Sequence, residues 1–244
     1  MTAAPRRTIV LSPHFDDAAL SLAGLIPELP GPVVVVTVFG GAPAPGLPVS
    51  WWDSTCGFST ATEAYRARLA ENARACALLG AAQIALDHPD GPYAQSPELP
   101  HLESFLSDLP DHSSILVPLG SNQPDHERVR EHALRTLDRL GAPPPLVYAD
   151  LPYTGHLPHW AGDEAGQALG HSPTCGLADQ NLLLRYRTTV RHDLRLTDEQ
   201  WARKRAAVLC HGSQLAPLAA DHGSLLARGG PLRAELVWSL EKVS

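Results

Sequence analysis

No run in this 244-residue sequence is long and apolar enough to cross a bilayer, so a membrane-spanning helix is not expected. No low-complexity linker divides it and no fixed-period repeat is visible, so residues 1–244 read as a single domain. Charge is scarce as well. With 18% charged residues, a formal net charge of -7 and dispersed arginines, the chain has no basic footprint for nucleic acid. The 44% of apolar residues is too many for a disordered chain. Only Cys56, Cys76, Cys175 and Cys210 carry thiols. They lack the close pairs of a zinc knuckle and the density of a disulfide scaffold, so they read as free thiols of a cytoplasmic protein. No leader is read at the N-terminus, because the apolar run after Arg7 leads directly into a polar cluster. A Gly-x-Ser-x-Gly elbow is also missing, which removes a serine hydrolase from consideration.

What the chain does contain is an alternation of strand and helix patterns. Residues 8–11 and the valine run 33–39 read as parallel strands buried on both faces, and residues 16–29, with Leu20, Leu22, Leu25 and Ile26, as the helix between them. Tyr65, Leu69, Cys76 and Leu79 keep helical spacing over residues 60–79, and Gly80 stands where a left-handed terminator belongs. Residues 82–86, 114–117 and 146–150 read as further strands. Before the last of these, Ser121 or Asn122 is expected to cap a helix with Pro124 in its first turn. Its apolar stripe is Val129, Ala133, Leu137 and Leu140, and Gly141 ends it. Thr197-Asp198-Glu199-Gln200 has the form of a capping box opening a helix through Leu209. The pattern predicts an α/β fold: a Rossmann-like open, mostly parallel sheet with helices on both faces. Three Pro- and Gly-rich stretches, 40–59, 91–113 and 152–196, read as long loops over the carboxyl ends of the strands.

The chemistry concentrates in Ser12-Pro13-His14-Phe15-Asp16-Asp17, directly after the first strand. His14 and Asp17 are three residues apart and can point to one place from a first helical turn, where two such side chains suit a divalent metal. Alone, His-x-Asp-Asp equally suits a turn histidine and two helix-capping carboxylates. Asn122-Gln123-Pro124-Asp125-His126 recurs at the matching place after a later strand. Two strand ends of one parallel sheet face the same crevice, so His126 can complete a His-Asp-His set with an open coordination position, the form of a catalytic site.

On Pro13-His14-Phe15-Asp16-Asp17 and Pro124-Asp125-His126 the chain resembles the LmbE-like or PIG-L deacetylases, relatives of the N-acetylglucosaminyl-phosphatidylinositol and mycothiol-pathway enzymes. Weaker matches follow in the family's order at Arg68-Leu69-Ala70-Glu71, Leu79-Gly80, Asp90-Gly91, Asp150-Leu151-Pro152-Tyr153 and from Lys204 to Ser213-Gln214. The resemblance implies a zinc hydrolase, one Zn2+ per chain, that removes an N-acyl group, usually acetyl, from an amino sugar or related small-molecule conjugate. It implies His14, Asp17 and His126 as metal ligands and Asp16 as the general base. It also implies Arg68 and Asp90 as substrate contacts. Zinc acidifies water and polarises an amide carbonyl, which is the chemistry such a reaction needs.

One departure stands out. The family places a histidine where this chain has Gln123, and the neighbouring aspartate, here Asp125, orients that histidine. Gln123 can donate a hydrogen bond to an oxyanion but cannot carry a positive charge, and Asp125 is left to orient another group. Elsewhere, Trp51-Trp52 is expected to anchor its loop, with a platform for a sugar or cofactor-derived group as the alternative. Pro158 argues against a metal pair at His156 and His159. His211, Ser213 and Gln214 read as bonding the last carbonyls of a helix. Three alternatives stay open: a deacylase of a thiol conjugate or biosynthetic intermediate, a two-His-one-carboxylate iron oxygenase, and a binding protein that has lost the reaction. The acyl acceptor and oligomeric state, including a homo-oligomer, are not readable.

Overall fold

Thr8–Ser12 (β1) and Val33–Thr37 (β2) are buried along their whole length. This is how β-branched runs behave when helices cover both faces of a parallel sheet. The computed structural model describes residues 7–94, 96–110, 112–156, 160 and 177–243. Within them Ala82–Ala85 (β3), Ser114–Pro118 (β4), Leu146–Tyr148 (β5), Tyr186–Arg195 (β6) and Ala234–Lys242 (β7) complete a seven-stranded sheet of order β3-β2-β1-β4-β5-β7-β6. The strands from β3 to β5 pair in parallel, and β7 runs antiparallel to both β5 and β6. The mostly parallel α/β fold is the one expected from the sequence.

The helices are Asp17–Leu22 (α1), Trp51–Thr55 (α2), Ala61–Leu79 (α3), Pro100–Ser107 (α4), Pro124–Arg139 (α5), Leu177–Arg185 (α6), Asp198–Leu209 (α7) and Gly212–His222 (α8). Side chains alternate across a strand, and two cores result. Val10, Val35, Leu116 and Val237 pack with Leu22 of α1, Cys76 and Leu79 of α3 and Ala207 of α7. Ile9, Val34, Val117 and Val147 pack on the opposite face with Leu102 of α4 and Val129 and Ala133 of α5. Strand order reverses between β1 and β4, so their carboxyl ends open the crevice in which such sheets bind ligands.

Several local expectations are corrected. The first crossover helix stops at Leu22 and a 3-10 turn, Ile26–Glu28, follows; the Gly24 and Leu25 N–H groups turn to the Glu235 carboxylate instead of extending the helix. Gln123, not Ser121 or Asn122, caps α5, accepting the Asp125 N–H. Leu140 does not join the apolar stripe and stays 48% exposed past the helix end. The three loops hold regular structure: α2, α4, then α6 and the ten-residue β6. Short or polar elements of this kind leave little hydrophobic period to read. Gly80 and Gly141 do end their helices, at φ 68° and 67°, and the Thr197–Gln200 capping box is formed. No helix among the described residues is long and apolar enough to cross a membrane. Cys56, Cys76 and Cys210 are free thiols; Cys175, His159 and most of the stretch before α6 lie outside the described residues.

Candidate metal centre

The turn between β1 and α1 is built by Ser12. Its hydroxyl donates to the His14 carbonyl at 2.6 Å and accepts the Ala18 N–H at 3.0 Å. Asp17 accepts the His14 N–H at 2.6 Å. Asp16 occupies the N-cap position yet makes no capping bond with its side chain, so its carboxylate is not consumed by holding the helix. The second motif arrives from β4 through Gly120 (φ 83°). A Cβ there would meet the backbone of Glu127 at 2.7 Å, so only glycine lets this turn pass so close to α5.

The structure brings His14, Asp17 and His126 together, each offering a ligand atom within 4.8 Å of the others. His14 Nδ1 and His126 Nε2 both lie 3.2 Å from the same oxygen, Asp17 Oδ2. Ligand bonds of about 2.0–2.2 Å to one zinc ion separate neighbouring donor atoms by roughly this much. His126 Nε2 is buried without a hydrogen-bond partner, and its lone pair is what a metal cation would take up. The three residues fit a zinc ion.

The outward nitrogens of both rings face carboxylates, as ligand histidines require. His126 Nδ1 lies 3.0 Å from Asp150 Oδ2, an oxygen that also accepts the Gly120 N–H at 2.8 Å. His14 Nε2 faces Asp90 Oδ1 at 3.4 Å and Asp125 Oδ2 at 3.5 Å. Asp125, without a histidine at position 123 to orient, is aimed at His14. Burial opposes a proton on His126, yet Asp17 and Asp150 raise it to about 9. His14 is likewise lifted well above the usual histidine range against its burial, by Asp90, Asp125 and Asp17. Burial pushes Asp17 upward, but the two rings hold its carboxyl far below the ordinary range. Carboxylates that favour a proton between these groups also favour a metal cation there. Asp16 moves the other way: burial first, then the charge of Asp17, raise it to about 6.

His14 and Asp17 of the centre line a cavity of about 360 Å3, while His126 is fully buried. Arg68 and Asp90 both line it, and their side chains are 3.5 Å apart. Arg68 is not part of a solvated helix face, since it also pairs with buried Asp53, whose other oxygen takes the Tyr93 hydroxyl at 2.5 Å. The tryptophans divide: Trp51 is 75% exposed, whereas Trp52 lines the cavity and donates to Gln214 Oε1 at 2.8 Å. Ser213 does not bond helix carbonyls; its N–H and hydroxyl both donate to Glu71 of α3.

Sequence reasoning gave no role to Asp53, Asp150 and Tyr153 and took His211 for a helix-end residue. Asp150 was marked by the end of a predicted strand and by the weak family match Asp150-Leu151-Pro152-Tyr153, neither of which gave it a task. His211 is 2% exposed and lines the cavity with neither ring nitrogen partnered; burial lowers it to about 4, so the ring is neutral.

Comparison with known proteins follows the same lines. No curated relative matches the chain in sequence. Among solved structures, the zinc-inhibited form of the teicoplanin deacetylase Orf2 superposes with a TM-score of 0.75 at 20% identity, covering 98% of this chain and 99% of its own. The A40926 pseudoaglycone deacetylase Dbv21 gives 0.72 at 24% identity, covering 99% of both chains. The N,N'-diacetylchitobiose deacetylase from Pyrococcus horikoshii gives 0.53 at 14% identity, covering 97% and 84%. At such identities the likeness establishes the fold. The family model described as PIG-L, GlcNAc-PI de-N-acetylase, matches residues 9–137, more than half of the sequence, and on that match the chain belongs to the PIG-L family of amide hydrolases.

Proposed function

We propose that this protein is a zinc-dependent N-deacetylase, one zinc per chain, that removes an acetyl group from an amino-sugar conjugate in the cytoplasm. The observation that carries the reading is the meeting of His14, Asp17 and His126 beside the cavity, with His126 Nε2 buried and without a hydrogen-bond partner. When bound, zinc would supply Lewis-acid polarisation of the amide carbonyl and acidify water. Asp16 takes the proton of the attacking water and returns it to the leaving amine; at a pKa of about 6 it is ionised at neutral pH yet basic enough to accept a proton. Asp150 fixes His126 through Nδ1, and Asp90 and Asp125 face His14. Arg68, braced by Asp53, and Asp90 present charged groups to substrate hydroxyls at the cavity wall.

Phe39, Trp52 and Tyr65 give the same cavity aromatic walls, which suit the apolar face of a sugar ring. Because two structural neighbours act on teicoplanin and on the A40926 pseudoaglycone, N-acylated glycopeptide conjugates lead the substrate panel, followed by simple N-acetylated amino sugars. The test is acetate release from that panel by zinc-loaded protein, beside Asp16→Asn. The variant is expected to keep its zinc and lose activity by roughly 100-fold or more. Parent-rate hydrolysis by the variant would remove Asp16 from its role, and no acetate from any N-acyl substrate would sink the deacetylase reading.

A further inference from the structure

Tyr153 stands in the 3-10 turn Tyr153–His156 that follows β5. Its ring is held edge-on between two imidazoles, His126 at 5.2 Å and His222 at 5.4 Å between centroids. That clamp leaves the ring little freedom and sets it in the cavity wall shared by His14, Asp16 and Gln123. Its hydroxyl comes under the influence of the Gln123 side chain, which lines the same cavity. The two ends of that amide are not interchangeable. Gln123 Oε1 accepts the Asp125 N–H at 2.9 Å as the cap of α5, which holds the amide in place, and a contact that eases the charged form of the phenol comes from the donating end, the amide nitrogen. An amide nitrogen only donates, hence the phenol oxygen accepts and the phenolic proton is free to donate to a third group. Nothing bonded to Tyr153 within the described residues takes that proton, and the cavity is where a substrate carbonyl must enter.

We propose that Tyr153 is the oxyanion donor of this enzyme, its O–H hydrogen-bonding the amide oxygen as attack makes the carbon tetrahedral, and that Gln123 is a positioning residue which acts through it. This rests on the deacetylase reading above. No proton leaves Tyr153; the bond strengthens as negative charge builds on the oxygen, which is how a fixed donor lowers a barrier. Burial, with Asp17 and Asp16 nearby, pushes the phenol further from ionisation and keeps its proton in place. The chain thus reaches a neutral donor through Gln123 instead of using that residue directly, the role its position in the motif had indicated.

The experiment uses the full zinc-loaded chain as parent, Tyr153→Phe, Gln123→Ala and the double variant. Three quantities are measured: zinc content, kcat and KM on whichever N-acyl conjugate the parent hydrolyses, and the Kd of methylphosphonate, a tetrahedral anion, by calorimetry. Tyr153→Phe is expected to keep the parent's zinc content and a similar KM, to lose roughly 100-fold in kcat, and to bind methylphosphonate roughly tenfold more weakly. Gln123→Ala is expected to lose part of both in the parent and nothing further once Tyr153 is Phe. Parent-like kcat and methylphosphonate affinity in Tyr153→Phe would overturn the proposal and leave the deacetylase reading standing. If Gln123→Ala cost the same factor with and without the hydroxyl, Gln123 would be a helix cap only and its positioning role would fall. A parent that hydrolyses no N-acyl substrate would overturn the reading itself and this proposal with it.

Discussion

Asp150 has the narrowest task of any residue in the centre: it is fully buried, and one oxygen is shared between His126 Nδ1 and the Gly120 N–H. Asp150→Asn keeps the shape but presents either a second donor or a weaker acceptor to the ring, so zinc affinity is expected to fall roughly 10–100-fold, measured by competition with a chelating dye. His211 makes a separate prediction about pH. Its ordinary value of 6.5 is lowered to about 4 by burial, so between those values the unfolded chain binds more protons than the folded one. Its contribution is therefore complete above about pH 6.5 and is lost as pH falls towards 4. Urea titrations at pH 7 and pH 4.5 should show His211→Asn losing less stability on acidification than the parent, by on the order of 2–3 kcal/mol; equal losses would count against a neutral buried ring. At this scale the sequence was readable where residues sit in a motif, as with His14, Asp16, Asp17 and His126. Asp53, Tyr153 and His211 were not, because each reaches the cavity from a different element, and the weak family matches around Tyr153 and His211 mark a segment without saying which side chain of it enters the cavity.

Among the elements, the closing strand β7 is tied in by an ion pair rather than by shape alone. Glu235 takes Lys204 Nζ at 2.7 Å and the N–H groups of Gly24 and Leu25 at 2.9 and 2.8 Å, and both charged side chains are fully buried. Truncating one partner strands the other in an apolar interior, so Lys204→Met is expected to cost about 3–5 kcal/mol in denaturant unfolding. Replacing both with apolar groups should cost less, although the two backbone donors would then lose their acceptor. The same contrast explains which elements could be foreseen. The strands β1 and β2 and the helices α3 and α7 announce themselves by valine runs, helical spacing, a glycine stop and a capping box. By contrast β6 has an almost wholly exposed side-chain pattern, and α2 has only five residues with one buried. Neither offers the hydrophobic period on which recognition from sequence depends.

For the molecule as a whole, alternation of strands and helices was enough to anticipate an open α/β sheet, and the sheet explains why motifs more than a hundred residues apart meet. Residues after β1, β2, β3, β4 and β5 all line one crevice: His14, Phe39, Asp90, Asp125 and Tyr153. The iron-oxygenase alternative loses its footing with the family match, which is to amide hydrolases. Among the described residues the sheet has two borders, and the longer is the ten-residue β6, which pairs with β7 on one side and with no described strand on the other. Such a border is a template for any other strand. It carries Arg187, Arg191 and Arg195 at every fourth position, and a register shift between Val190 and His192 bends it out of line. Charge and curvature of this kind keep two chains from joining edge to edge. Replacing Arg187 and Arg191 with valine should leave the centre intact yet cause concentration-dependent light scattering, so the arginines that have no place in catalysis would set how concentrated this enzyme can become before it clumps.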